Sequence, residues 1–199
     1  MKTLRVIAII ALLLPAFSCV PIPSIYPLWD EQHSAFEPTL VGVWTHEDPD
    51  SNFTMSIAEA KAKTYLITAT DKEKNDGKVT ESRYATKLVR LEKHLFLDLN
   101  ADEASIDKSL ESEVYPATVL MHFFARLELD GDTIKLAMLD DEKFSKKVLE
   151  KKIDLPIIKR DSTILLTAET AKIQQVLSRI AEDKDFWDDD MVLHRAPAR

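Results

Sequence analysis

Alternating apolar and polar residues fill several stretches of this chain, and a period of two is typical of β-strands with one buried face. The stretches are rich in β-branched, aromatic and aliphatic residues, and Gly77 and Gly131 stand in turns between them. The pattern predicts strands at residues 64–70, 84–91, 94–99, 118–129, 133–139 and 163–166. Because short turns separate neighbouring stretches, we expect a mainly antiparallel sheet.

Asp130 and Gly131 predict a tight hairpin between two of these strands. With these two residues at the centre of the turn, Leu127 faces Ile134 and Ala125 faces Leu136. Arg126 and Lys135 then lie on the opposite face. The shared apolar face carries Phe123, Ala125, Leu127, Ile134, Leu136 and Met138.

A helical period of 3.6 appears near the end of the chain. Residues 141–150 place Phe144 and Val148 one turn apart, and residues 102–113 form a further short candidate helix. The clearest helix is predicted at 170–183, with Thr167 or Thr170 as its N-cap. Its apolar stripe, which we expect to pack on the sheet, consists of Ile173, Val176, Leu177 and Ile180.

The first nineteen residues have the pattern of an export signal. Lys2 and Arg5 precede nine apolar residues at 6–14, too few for a membrane-spanning helix of about 20 residues. Small residues then stand three and one places before Cys19, the single cysteine. The segment 14–19 resembles a bacterial lipoprotein signal, which implies diacylglycerol on the sulfur of Cys19. Ordinary secretion with cleavage at the same bond is the alternative.

These features divide the chain into three parts. Residues 1–18 are the expected signal peptide, and 19–38 are a proline-rich segment that serves either as a tether or as a partly docked strap. Residues 39–199 are expected to form a single domain. Val20 is not the Asp associated with inner-membrane retention in the lipoproteins that this signal resembles. That resemblance therefore implies lipid anchoring in the cell envelope, at the outer membrane if the host has one.

The start of the domain contains Gly42 and Trp44 in a Gly-x-Trp pattern. This pattern resembles the first strand of lipocalin-like β-barrels, in which the Trp plugs one end and an Arg from the end of the chain covers it. The resemblance implies that Gly42, Trp44 and Arg195 form a barrel plug. We therefore expect an up-and-down lipocalin-like barrel, or a strongly curved sheet, with C-terminal helices. The polar run 45–52 departs from the long first strand of lipocalins. The wider order of motifs is similar to that of bacterial envelope proteins.

Charge and missing motifs exclude several functions. Residues 19–199 hold 24 Lys and Arg against 34 Asp and Glu, a formal net charge of −10, which argues against nucleic-acid binding. Three glycines cannot supply a phosphate-binding loop or a nucleophile elbow. The acidic clusters at 46–50 and 188–190 lack metal-site spacing and are interpreted as solvated loops. We therefore predict no cofactor, no metal and no catalytic residue.

Two functions fit these observations. In the first, the barrel interior holds a small apolar ligand, with Phe123, Ala125, Leu127, Leu136 and Met138 as candidate ligand-facing residues. In the second, the interior is filled and the surface, including Trp29 and Trp187, meets another envelope protein. The membrane is a partner in both hypotheses, through the lipid on Cys19. Both functions require the same apolar face, so the sequence does not distinguish between them.

Overall fold

The computed structural model describes residues 21–47, 51–102, 120–160 and 163–197. Cys19 and nearly all of the helix expected at 102–113 lie outside these ranges. The described chain has eleven strands and two α-helices. They are β1 (Ser34–Ala35), β2 (Gly42–Glu47), β3 (Ser51–Glu59), β4 (Tyr65–Glu73), β5 (Val79–Leu91), β6 (His94–Ala101), β7 (His122–Asp130), β8 (Thr133–Met138), α1 (Asp141–Leu149), β9 (Ile157–Arg160), β10 (Thr163–Leu166), α2 (Thr170–Ile180) and β11 (Met191–Arg195).

Eight antiparallel strands close into a barrel. Strands β2 to β8 pair in chain order, and β11 lies between β8 and β2. The closing contact is short, since His194 faces Thr45 and Arg195 faces Trp44. The expected mainly β fold with an up-and-down barrel and late helices is confirmed. Strand β1 continues the edge of β5 beyond the end of β4.

The barrel has two separate apolar cores. One fills part of its interior, with Trp44, Tyr65, Leu88 and Ile134 among its buried members. The other lies outside the wall, where the helices cover the outer face of β5 to β8. It contains Val89 and Phe96 from the wall, Phe144 and Val148 from α1, and the predicted α2 stripe of Ile173, Val176, Leu177 and Ile180. Both faces of these strands are therefore buried.

Both helices begin close to their predicted starts, but one cap differs. Asp140 caps α1 by accepting a hydrogen bond from the backbone N of Lys143 at 2.8 Å. The N-cap of α2 is Glu169, which makes no side-chain capping bond, so the expected Thr167 or Thr170 cap is wrong. The hydroxyl of Thr170 instead donates to the carbonyl of Pro27 at 2.7 Å. This bond ties the helix start to the N-terminal segment.

Residues 21–38 dock on the domain, so of the two alternatives for this segment the structure shows the strap. Ser24 is fully buried and pairs antiparallel with His122 and parallel with Leu166. Leu28 is also fully buried in the outer core. The strap therefore packs as part of the outer core of the domain.

The hairpin of β7 and β8 is formed, but its register differs from the prediction. Asp130 pairs with Thr133 and Leu127 with Leu136, so the central turn residues are Gly131 and Asp132. Gly131 has a φ of +56°, which suits the first central position of a type II′ turn. The correct register moves each pairing by two residues, and two is the side-chain period of a strand. The predicted apolar face is therefore kept.

Among the residues that the structure describes, no helix is both long enough and apolar enough to cross a lipid bilayer.

Candidate functional site

The barrel interior is open at one end. Neighbouring strands run in opposite directions, so one end collects the starts of β3, β5, β7 and β11 and the ends of β2, β4, β6 and β8. A cavity of about 560 Å³ lies at this end, within the range typical of small-molecule sites. It is lined by Pro21, Phe53, Met55, Ile67, Ala69, Tyr84, Leu97, Leu99, Phe123, Ala125, Leu136, Met138, Asp188, Asp189 and Met191.

The opposite end is filled by side chains. Trp44 is fully buried, and its indole Nε1 donates to the carbonyl of Leu40 at 2.9 Å. Phe36 stacks on Tyr65 with ring centroids 5.3 Å apart. Burial raises the pKa of the Tyr65 phenol, which donates to the carbonyl of Glu37. This half of the barrel is a packed core that forms the floor of the cavity.

Gly42, Trp44 and Arg195 come together at the filled end. The Arg195 guanidinium lies 4.2 Å from the centroid of the Trp44 ring, and it donates to the carbonyls of Val41 and Thr39. A Cβ on Gly42 would lie 2.5 Å from Arg195 Nη1, and the φ of +149° there also disfavours a side chain. The glycine therefore leaves room for the arginine over the indole.

Four of the five candidate ligand-facing residues line the cavity: Phe123, Ala125, Leu136 and Met138. Leu127 also faces the interior, but it packs in the filled half and does not line the cavity. Sequence reasoning missed the lining from β3 and β4, namely Phe53, Met55, Ile67 and Ala69. Apolar residues at positions 53, 55 and 57 do alternate, and this was the available signal.

Of the two tryptophans named for a protein-interaction surface, the structure buries one. Trp187 is only 4% exposed, packs against Phe96 and donates from Nε1 to the carbonyl of Ile180 at 3.0 Å. Its expected surface position is wrong because the chain after α2 folds back over the barrel wall. Trp29 is half-buried beneath the ammonium of Lys87.

A buried carboxylate fastens the strap beside the cavity. Asp98 lies on the outer face of β6 and is 2% exposed. It accepts hydrogen bonds from the backbone N of Leu28 at 2.7 Å and of Trp29 at 3.2 Å, and it contacts His122 Nδ1 at 2.7 Å. The alternation along β6 predicts that Asp98 points out of the barrel, but it does not predict that Asp98 is buried. Its position within an apolar strand run is the only local signal of its burial.

The acidic clusters that the sequence singled out are not assembled as a metal site within the described ranges. Across residues 21–47, 51–102, 120–160 and 163–197, no group of three or more His, Cys, Asp or Glu side chains is placed to hold a metal ion. His46 Nδ1 contacts the carbonyl of Val192 at 2.7 Å, and Asp190 accepts from Arg126 at 3.1 Å. Residues 48–50 lie outside the described ranges.

The molecule therefore has the fold of a lipocalin-like barrel, packed at one end and open over an apolar cavity at the other. No protein-family model matches the chain, and neither do any curated proteins or solved structures.

Proposed function

We propose that this protein is an exported lipoprotein whose barrel binds a small apolar ligand in the cell envelope. The observation that carries the ligand proposal is the cavity of about 560 Å³ with its apolar wall. Lining residues such as Ile67 and Leu97 are apolar and only 2% exposed. Removing apolar surface from water favours binding by roughly 25 cal/mol per Å². A ligand that fills this space thus gains mainly from burial.

A blocking substitution tests whether ligand enters the barrel. Ala69 lines the cavity, so Ala69→Phe adds a ring to empty space, whereas Ala58→Phe places the same ring on an exposed position of β3. The neutral fluorophore N-phenyl-1-naphthylamine is titrated into both variants and the unchanged protein. We expect Ala69→Phe to weaken binding at least tenfold and Ala58→Phe to leave it unchanged. Equal affinity in all three proteins, or no binding to any, would overturn the proposal.

The lipid anchor is proposed on separate grounds, the signal-like sequence before Cys19. Pro21 supports a link between anchor and cavity, because it lines the mouth two residues after Cys19. Two residues span at most about 7 Å, so acyl chains on Cys19 would hold the mouth close to the membrane surface. An apolar ligand could then pass between bilayer and barrel with little exposure to water.

Mass spectrometry of the N-terminal peptide tests the anchor. The protein is produced in a bacterial host with a complete lipoprotein pathway, and Cys19→Ser is the control. We expect the unchanged protein to carry diacylglycerol on Cys19 and to fractionate with membranes, and the variant to lose both properties. An unmodified Cys19 at the mature N-terminus would instead show ordinary secretion.

A further inference from the structure

We infer that the outer surface of the strap and of the strands beside it is a membrane-contact surface, which lies in the head-group region of a lipid bilayer. This inference rests on the proposed anchor and adds a second contact with the membrane, made by the protein itself. The observations are an exposed apolar face on four neighbouring segments and its short distance from Cys19 along the chain.

Four segments lie side by side near the start of the strap. Ser24 exchanges two backbone hydrogen bonds with His122, both at 2.9 Å, where β7 begins. On its other side the strap bonds to β10, since the N of Ile25 donates to the carbonyl of Leu166 at 3.0 Å. Leu166 pairs in turn with Ile157 of β9. The order across this surface is therefore β7, strap, β10 and β9.

One side of these four segments is buried and the other is exposed. Ser24 and Leu166 are fully buried, and Ile157 packs against the outer core. Side chains alternate along an extended chain, so the residues next to the paired positions point away from the domain. These outward residues are all apolar, and we call them the strap face: Ile25, Met121, Leu165 and Ile158.

The strap face is accessible to a partner. Ile158 is 55% exposed, and Ile25 and Met121 are 37% and 36% exposed. Tyr26 and Leu120, which follow and precede them in the chain, are exposed as well. Five of the ten large apolar residues that are exposed in the described parts of the chain therefore lie here. A cluster of this kind marks an interaction surface, whereas single exposed apolar residues do not.

The position of the strap favours a membrane as the partner. Cys19 stands six residues before Ile25, a span of at most about 21 Å. Acyl chains on Cys19 would therefore enter a bilayer close to the strap face and would turn this face toward the lipid. The apolar side chains then leave water at the head-group level. Lys159, which is exposed and follows Ile158, can place its ammonium among the lipid phosphates.

Apolar contact, rather than charge, is expected to drive this binding. Residues 19–199 carry a formal net charge of −10, which repels an anionic surface. Salt screens exposed charges but does not weaken the burial of apolar side chains. The protein should therefore bind vesicles of neutral phosphatidylcholine and remain bound at high salt.

Vesicle flotation tests the strap face without acyl chains. Residues 19–199 contain every described residue, so this part of the chain with Cys19→Ser is floated with phosphatidylcholine vesicles. Ile25→Asp with Ile158→Asp places two charges on the face. Val41→Asp with Val43→Asp is the matched control, because these apolar residues are 37% and 43% exposed at the filled end. We expect the first pair to reduce the bound fraction about tenfold or more, and the control to change it less than about twofold.

A fluorescent label locates the contact without adding charge to the strap face. The chain has a single cysteine, so Ile158→Cys in the Cys19→Ser protein provides one thiol for the polarity-sensitive dye NBD. Val43→Cys is the control at the filled end. Vesicles should shift the emission of the dye at position 158 to shorter wavelength and leave the dye at position 43 unchanged.

The outcomes distinguish this inference from the proposed function. The inference is wrong if the unsubstituted strap face does not bind vesicles, if both aspartate pairs behave alike, or if both labels respond equally. Binding that disappears at high salt would show adsorption through charge and would also overturn it. A dimer that dissociates on Ile25→Asp with Ile158→Asp, without a vesicle response, would show that a second copy covers the face. In each case N-phenyl-1-naphthylamine binding and the mass of the Cys19 peptide still test the cavity and the anchor separately.

Discussion

Asp98 provides the sharpest test of how the strap is held on the barrel. Its carboxylate is almost fully buried and accepts from two consecutive backbone amides, those of Leu28 and Trp29. It also contacts His122 Nδ1 at 2.7 Å. The substitution Asp98→Ala removes all three partners at once. It leaves the Leu28 amide buried without an acceptor, because Leu28 itself is fully buried.

The expected cost follows from these partners. A buried donor without an acceptor costs about 1 to 3 kcal/mol. Trp29 is half-buried and the His122 side chain is 13% exposed, so water replaces part of their lost bonding. We therefore expect Asp98→Ala to lower the free energy of unfolding by roughly 3 to 5 kcal/mol. Asp98→Asn keeps one oxygen for the backbone amides, so its cost should be about 1 to 2 kcal/mol.

Urea unfolding followed by tryptophan fluorescence measures the loss, and hydrogen exchange at the amides of Leu28 and Trp29 locates it. Asp154→Ala is the matched control, because that side chain is 92% exposed and pairs only at the surface. It should change stability by less than about 0.5 kcal/mol. If Asp98→Ala matches this control, or if exchange rises equally across the barrel and the strap, the fastening role is wrong.

Further tests concern the filled end and the acid response. Trp44→Ala should lower the free energy of urea unfolding by roughly 3 to 5 kcal/mol, because it empties a fully buried site. An unchanged unfolding midpoint would contradict the packed floor. Gly42→Ala should lower the free energy of unfolding by about 1 to 3 kcal/mol, because the new Cβ displaces Arg195 and strains the backbone. Val43→Ala, a substitution at the exposed next residue, is the control. Desolvation opposes ionisation of Asp30, but hydrogen bonds from Gln174 and His33 outweigh it and lower its pKa. Its contribution to stability is then complete above the unfolded pKa of about 4 and is lost as pH falls through the lower folded pKa. Asp30→Asn should therefore show a shallower acid loss of stability, and an identical pH profile would refute this role.

The strands that the sequence predicted carry apolar side chains at alternate positions that face the barrel interior. Along β4 to β8, interior positions such as Ile67 and Leu97 are buried whatever covers the outside, so the period of two is preserved. The helix stripes were equally clear for the same reason. The predicted register of the β7–β8 hairpin was wrong by two residues, but the predicted apolar face was correct, because a shift of two returns each side chain to the same face.

The missed strands lie where local pattern carries little information. Strands β2 and β3 border the open end, where Thr45, His46 and Asn52 form part of a polar run that resembles an interruption of the first strand. Strand β11 closes the barrel across 151 positions of sequence, through the pairing of Trp44 with Arg195. A contact at this sequence separation leaves no short-range pattern in the sequence. Only the resemblance to lipocalin-like barrels suggested it.

The outer core also could not be predicted from a simple alternation of apolar interior and polar exterior residues. Phe96 and Phe124 point away from the barrel and are buried in the outer core, and the polar Asp98 and Arg126 are buried on the same outer face. His94 is likewise at an outward position of β6, yet its side chain is only 19% exposed and its Nε2 lies 3.6 Å from Glu182 Oε1. A strand that is apolar at consecutive positions, as at 95–97, indicates cover on both faces. The identity of the covering segment is a tertiary property.

Side-chain size, rather than polarity, decides which half of the barrel is empty. The filled half uses Trp44, Tyr65 and Leu88 at interior positions, whereas Ala69 and Ala125 occupy interior positions along the cavity. A binary pattern treats alanine and tryptophan alike, so it could not separate a filled barrel from a binding barrel. A cavity lined by apolar groups forfeits the contacts that larger side chains would make there. Ala69 and Ala125 therefore leave the open end less tightly packed, while the packed floor around Trp44 holds the wall in place. This division places the packed core at one end of the barrel and the apolar cavity, where we propose that a ligand binds, at the other.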